Sequence, residues 1–337
     1  MNKRAMNKRM PIFLVLLCAA AVAVLLACGW KTTQSPRVIY VAWSNNQESY
    51  SFKSMLRTIE AAGAVPVVLD QALSADLEYD QNNMLVGAKD EHGILTSDNA
   101  KKVKNNTWQN SNVEQIMENV NCVAFPGGAD ISPTLYYDEK EWHGIQEDTD
   151  YSAERDVSDY ILISYCLEHD IPMLCICRGM QMLGVVSGAE MIQDIRQWYE
   201  GQGLEYISLH RDPEKKDYVA HQVTVLSEDS LLYKITGMDT ITGVPSWHHQ
   251  AVENVDNTRL VVTALAETDG KQIIEAVERP DKTFCIGVQF HPEVAIRKSL
   301  DKEAGSENFM DYDAAMAFFQ ALSDAGEKRY YSQPFGL

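Results

Sequence analysis

The sequence predicts an α/β fold organised on a parallel sheet, and two observations predict it. From residue 37 the chain reads strand, helix, strand in direct succession, as a βαβ unit does. Farther on, an apolar strand at residues 171–176 runs almost without a loop into a helix at 179–187. A chain of 337 residues with 45% hydrophobic and 23% charged residues can bury a sizeable core around such a sheet.

The elements follow in order. Residues 37–43 are apolar and β-branched, a first strand. Residues 50–62 place Phe52, Met55, Leu56 and Ile59 at helical spacing, and Gly63 ends the run. Residues 65–69 read as a second, buried strand. Residues 71–112 break the pattern with Asn- and Lys-rich stretches and few apolar anchors, and they read as an insertion of loops and short helices. A connection this long is usually functional or mobile. A strand at 122–125 leads into Pro126-Gly127-Gly128-Ala129-Asp130, and residues 151–169 form a helix. Short strands are expected at 222–226, 260–265, 273–277 and 284–290, and a closing helix at 309–325. No internal repeat is expected.

The N-terminus predicts a location. Lys3, Arg4, Lys8 and Arg9 precede an apolar run of 16 residues that ends in Leu25-Leu26-Ala27-Cys28. A basic segment, an apolar segment and a small residue before a cut describe an export signal. Cys28 after Leu-Leu-Ala is similar to a bacterial lipobox, which implies a lipidated thiol at Cys28. An uncleaved anchor is the alternative, although the run is slightly short for a span. The expected organisation is a signal over 1–28, a tether over 29–36, and one α/β domain over 37–330, with an insertion at about 71–112, held at the extracytoplasmic face of a bacterial membrane.

The net charge of −19 disfavours two kinds of partner. An acidic surface repels phosphate backbones and anionic lipid, so no nucleic acid is expected and membrane attachment falls to the N-terminus. Seven cysteines include no CxxC pair, and no Cys/His cluster has zinc spacing, so no metal site is expected. Cys122, Cys175 and Cys285 lie in apolar, strand-like runs and read as core residues.

Three segments carry chemistry. Cys177 stands where a strand turns sharply into a helix, in Cys175-Ile176-Cys177-Arg178-Gly179. Such a turn exposes a nucleophile, and the helix N-terminus favours its anionic form. Gly287-Val288-Gln289-Phe290-His291-Pro292-Glu293 ends a strand at His291, a candidate base. Glu293, two residues on in an extended segment, shares its face and is the candidate orienting acid. Gly127 and Gly128 free backbone N–H groups for an oxyanion hole that the N–H of Arg178 completes.

In this order and spacing the segments resemble class I glutamine amidotransferase-like domains, and more narrowly the gamma-glutamyl-gamma-aminobutyrate hydrolase family. The resemblance extends over roughly residues 38–325 and includes Glu154-Arg155-Asp156, Gln193-Asp194-Ile195 and His248-His249-Gln250. It implies a three-layer sandwich with a mostly parallel central sheet, flavodoxin-like in form. It also implies a cysteine hydrolase of γ-glutamyl amides in small molecules or peptides, with Cys177 as nucleophile, His291 as base, Glu293 as its orienter and no cofactor. Gln181 then faces the glutamyl group and His249 lines the pocket. A homodimer is compatible with the resemblance. Asp159 stands where the family usually has Glu, and residues 71–112 replace a shorter connection, leaving room for a lid. The family members in question are cytoplasmic, so an export signal opens cell-wall and folate γ-glutamyl peptides as alternative substrates. A solute-binding lipoprotein without chemistry is the reading from another class.

Overall fold

Parallel pairing begins at once. β1 (Val38–Val41) leads through α1 (Tyr50–Ala61) to β2 (Val65–Val68), which lies beside β1 in parallel register. The side chain of Ser49 caps α1 by accepting from the Phe52 N–H. The computed structural model describes residues 37–138, 150–206, 210–212, 217–268 and 270–333. The signal, the tether and Cys28 lie outside the described residues. Among those described, no helix is long and apolar enough to cross a membrane.

The insertion carries α2 (Ser97–Asn106) and α3 (Val113–Ile116), and β3 (Val123–Phe125) then rejoins the sheet on the other side of β1. After α4 (Ala153–Glu168) come β4 (Met173–Ile176), α5 (Arg178–Ser187), β5 (Glu190–Ile192), α6 (Ile195–Glu200), β6 (Val219–Val225), α7 (Leu231–Thr236), β7 (Thr240–Ser246) and β8 (Ala251–Asn254). The chain closes with β9 (Val261–Thr268), β10 (Lys271–Glu278), β11 (Cys285–Val288), α8 (Pro292–Leu300) and α9 (Tyr312–Ser332).

The main sheet has the order β2-β1-β3-β4-β11-β10-β9-β6-β7. Its first five strands are parallel, and β10, β9, β6 and β7 extend it as an antiparallel wing. Alternate side chains feed two cores. Phe125, Met173 and Cys175 pack with α4 and α5, whereas Ala124, Leu174 and Ile176 pack with α1, α8 and α9. The three-layer α/β sandwich is therefore present, with the parallel strands at its centre.

Three local expectations are corrected. β2 is the sheet edge rather than a buried strand, with Val65 58% exposed, because nothing pairs beyond it. Residues after Phe290 do not continue extended: Pro292 begins α8, as proline does at a first helical position. Strand β7 escaped the periodicity because Gly243 and Pro245 interrupt it.

The insertion is neither anchor-poor nor free of repetition. Leu77, Leu85, Leu95, Ala100 and Val103 are buried in the core beside α4. Two turns repeat ten residues apart. Asp80 Oδ1 accepts from the N–H groups of Asn82 and Met84, and Asp90 Oδ1 accepts likewise from His92 and Ile94. Asn83 and Gly93 take the positive φ that each turn needs (61° and 84°), and each turn closes a bridge, Tyr79 to Leu85 and Lys89 to Leu95. The unit then braces the start of α4: Leu85 N–H donates to Glu154 (3.0 Å) and Leu95 N–H to Ser132 Oγ (2.9 Å).

Candidate active site

Cys177 joins β4 to α5 with φ 51° and ψ −107°. A non-glycine residue in that region costs roughly 1–3 kcal/mol and persists only where its surroundings enforce it. Here the Cys177 N–H is pinned to Val288 O (2.7 Å) on β11. The helix also approaches β3 too closely for any side chain at Gly179, where a Cβ would lie 2.6 Å from Phe125 O. The turn directs Cys177 to the wall of a cavity of about 450 Å³.

His291 reaches the same cavity from the end of β11, as the N-cap residue of α8. Its Nδ1 pairs with Glu293 Oε1 at 2.7 Å, inside the first turn of the helix. Nε2 is left for Cys177, which lines the same cavity and interacts with the ring. Burial opposes a charged ring here, but the Glu293 carboxylate and the Cys177 sulfur outweigh it and lift His291 to about 10. The Tyr218 ring meets His291 edge-on, 5.1 Å between centroids. Cys177, His291 and Glu293 are thus brought together, by a helix turn rather than by one face of a strand.

Gly127 and Gly128 follow β3 and border both catalytic candidates. A Cβ on Gly127 would lie 2.6 Å from His291 Cε1 and 3.4 Å from Cys177 Cβ. Gly128, at φ 150°, leaves no room beside the buried Arg155 guanidinium. Arg155 holds the loop by donating from Nη2 to Pro126 O (2.7 Å). Arg178 lies in the first helical turn, so its N–H has no partner within its own helix. Its side chain turns away from the cavity into a buried network with Asp156 (2.6 Å) and Asp159, which also faces Arg155 Nε at 3.4 Å. Burial and the facing Arg178 charge lower Arg155 to about 10. Asp156 also accepts from Ser132, the residue that the insertion touches. The loop is therefore held from beneath by ion pairs and from the side by the insertion. No residue of 71–112 lines the cavity among the described residues, which replaces the expectation of a lid.

Gln181 lies one helical turn after Cys177 and lines the cavity. Its Nε2 donates to Gln250 O (2.9 Å) and Gln289 Oε1 (3.2 Å), which leaves Oε1 to meet a ligand. His249 also lines the cavity, clamped between Asp130 Oδ1 (3.0 Å) and Asp194 Oδ2 (3.2 Å). Burial opposes its charge, but the two carboxylates win and raise it to about 9. The sequence reading missed Tyr218, Trp247, Arg211 and the Ser44-Asn45-Asn46 loop after β1, all on the cavity wall. Arg211 packs over the Trp247 ring at 5.3 Å. No motif marks these residues; only Trp247 adjoins one.

Comparison with known proteins shows the family. The Peptidase C26 family matches residues 103–293. A glutamine amidotransferase-like protein of Rickettsia prowazekii is 32% identical over 227 residues, covering 58% of this chain and 78% of that one. The gamma-glutamyl-gamma-aminobutyrate hydrolase of Escherichia coli O157:H7 is 30% identical over 182 residues, covering 54% and 67%.

Proposed function

Because the chain belongs to the Peptidase C26 family of class I glutamine amidotransferase-like proteins, we propose that it is a cysteine hydrolase that cuts a γ-glutamyl amide through a glutamyl thioester. One observation carries the reading: Cys177, on a strained turn, shares the cavity wall with a histidine whose Nδ1 is fixed by Glu293 at 2.7 Å. A nucleophile, a base and an orienter in that order are what acyl transfer to sulfur needs.

The Cys177 sulfur attacks the γ-carbonyl carbon, and the carbonyl oxygen takes the charge. The N–H groups of Gly128 and Arg178, with Gly127 completing the loop, receive that oxygen. His291 passes its proton to the departing amine while Glu293 keeps the ring in place. Water then attacks the thioester with His291 taking its proton, and glutamate leaves. Asp130 and Asp150 supply negative charge for the α-ammonium and Arg211 positive charge for the α-carboxylate, all on the cavity wall. Gln181 Oε1, an acceptor on the same wall, suits the α-ammonium.

The leaving amine follows from location. With Cys28 lipidated, the enzyme meets extracytoplasmic amides, and γ-glutamyl linkages of wall peptides become the favoured class over small cytoplasmic amides. The test is glutamate release from γ-glutamyl-aminobutyrate, glutamine and wall-derived γ-glutamyl peptides by wild type and Cys177→Ser. Wild type is expected to release it from at least one and the variant from none. Equal release by the two proteins would overturn the reading.

A further inference from the structure

We infer that His210, His221, His248 and Glu275 form a binding site for a divalent cation of the zinc class, behind the cavity wall. This inference is independent of the proposed hydrolysis. The four residues come from distant parts of the chain: the 210–212 segment, β6, the turn before β8, and β10. Their candidate ligand atoms nevertheless all lie within 4.8 Å of one another. All four side chains are at most 2% exposed.

The site is a built one, because the polar atoms converge without satisfying each other. Glu275 Oε1 faces His210 Nδ1 at 3.1 Å, His248 Nε2 at 3.6 Å and His221 Nε2 at 3.9 Å. Yet His210 Nδ1 and His248 Nε2 meet Glu275 off the line a good hydrogen bond needs, and His210 Nε2 and Glu275 Oε2 have no partner among the described residues. A buried polar group left unpaired costs about 1–3 kcal/mol, so several in one place call for a missing partner.

The surrounding groups select the ring form that binds metal. His248 Nδ1 lies 2.9 Å from Gln250 O and His221 Nδ1 lies 3.2 Å from Gln222 O. A carbonyl can only accept, so each Nδ1 carries the proton and each Nε2 offers its lone pair toward Glu275. His221 Nε2 also faces Ser246 Oγ at 2.7 Å, so coordination requires that hydroxyl to rotate away. Three imidazoles and a carboxylate suit zinc, cobalt or nickel rather than calcium or magnesium. Tetrahedral zinc with bonds of about 2.0–2.1 Å holds its ligands roughly 3.3 Å apart, so the cluster needs only a modest contraction.

The ion would clamp the wing of the sheet to the wall of the active-site cavity. His248 itself lines the cavity, and the Glu275 carbonyl accepts from the Gln289 N–H (2.8 Å), two residues before His291. With four protein ligands the site is closed, and its role is to hold rather than to react.

The test is metal content and binding on the full chain, purified without chelator. Plasma mass spectrometry is expected to find equimolar zinc or a related ion, and Zn²⁺ alone should rebind stoichiometrically after chelation and raise the melting temperature. Co²⁺ should give the visible bands of a tetrahedral nitrogen–oxygen site without thiolate charge transfer. Cys177→Ser should bind equally well, which separates this site from metal captured by the catalytic thiol. His210→Ala and Glu275→Gln should weaken binding by more than the roughly 10- to 100-fold that loss of an outer-shell partner costs. Folded wild type that neither contains metal nor binds Zn²⁺ saturably would overturn the inference, as would binding that disappears with Cys177→Ser.

Discussion

An alanine at Gly127 should disable the enzyme while leaving it folded. Its methyl carbon would stand 2.6 Å from His291 Cε1 and 3.4 Å from Cys177 Cβ. Carbon atoms in contact settle at about 3.5–4.0 Å, so the ring or the loop must retreat by roughly 1 Å. Neither retreats freely. The ring is tied to Glu293 at 2.7 Å, and the loop is tied to Arg155 through Pro126 O at 2.7 Å. Misplacing a reacting group by 1 Å costs about 10²-fold in rate, and overpacking of this kind costs about 1–3 kcal/mol of stability. We therefore expect kcat/KM for γ-glutamyl-p-nitroanilide to fall about a hundredfold in Gly127→Ala, with a melting temperature only a few degrees lower. A folded Gly127→Ala enzyme with near wild-type kcat/KM would refute the reasoning, because His291 would not then be seated against this loop.

Three further outcomes follow from the same structure. His291 is raised from 6.5 to about 10, so its stabilising contribution is full below pH 6.5 and is lost as pH rises toward 10; Glu293→Gln should flatten that alkaline decline in unfolding free energy, measured by urea titration across pH, by an amount on the order of a few kcal/mol. Asp159→Ala leaves Asp156 as the one carboxylate against two buried guanidiniums, Arg155 and Arg178, and should cost about 3–5 kcal/mol in urea unfolding. Cells given a radioactive fatty acid should label the wild-type chain and not Cys28→Ser; equal labelling of both would remove the lipid anchor.

The parallel half of the sheet was legible because fully buried strands are near-continuous apolar runs. β3 and β4 bury every residue, and both appear in the sequence as such runs. The catalytic candidates were legible for a related reason. Cys177 and His291 each sit where a strand stops, and a polar residue ending an apolar run is visible without knowing the fold. The local form around Glu293 was not, since period-2 reasoning continued the strand past Pro292, whose helix-starting role outweighed it. The insertion was misjudged because its buried leucines, Leu77, Leu85 and Leu95, are spaced by turn geometry and fit neither strand nor helix periods. The four-residue His/Glu cluster was invisible because only tertiary packing of loops against the sheet brings residues 210, 221, 248 and 275 together. Tyr218 is likewise placed by tertiary contact with His291, not by any local pattern.

The central claim is that Cys177 carries the glutamyl group. The direct measurement is mass spectrometry of the peptide containing Cys177, from enzyme acid-quenched while turning over a γ-glutamyl amide. The account predicts one glutamyl group on Cys177, present in wild type, depleted when hydroxylamine is added, and absent in Cys177→Ser. Turnover with no adduct on Cys177, retained in Cys177→Ser, would contradict it.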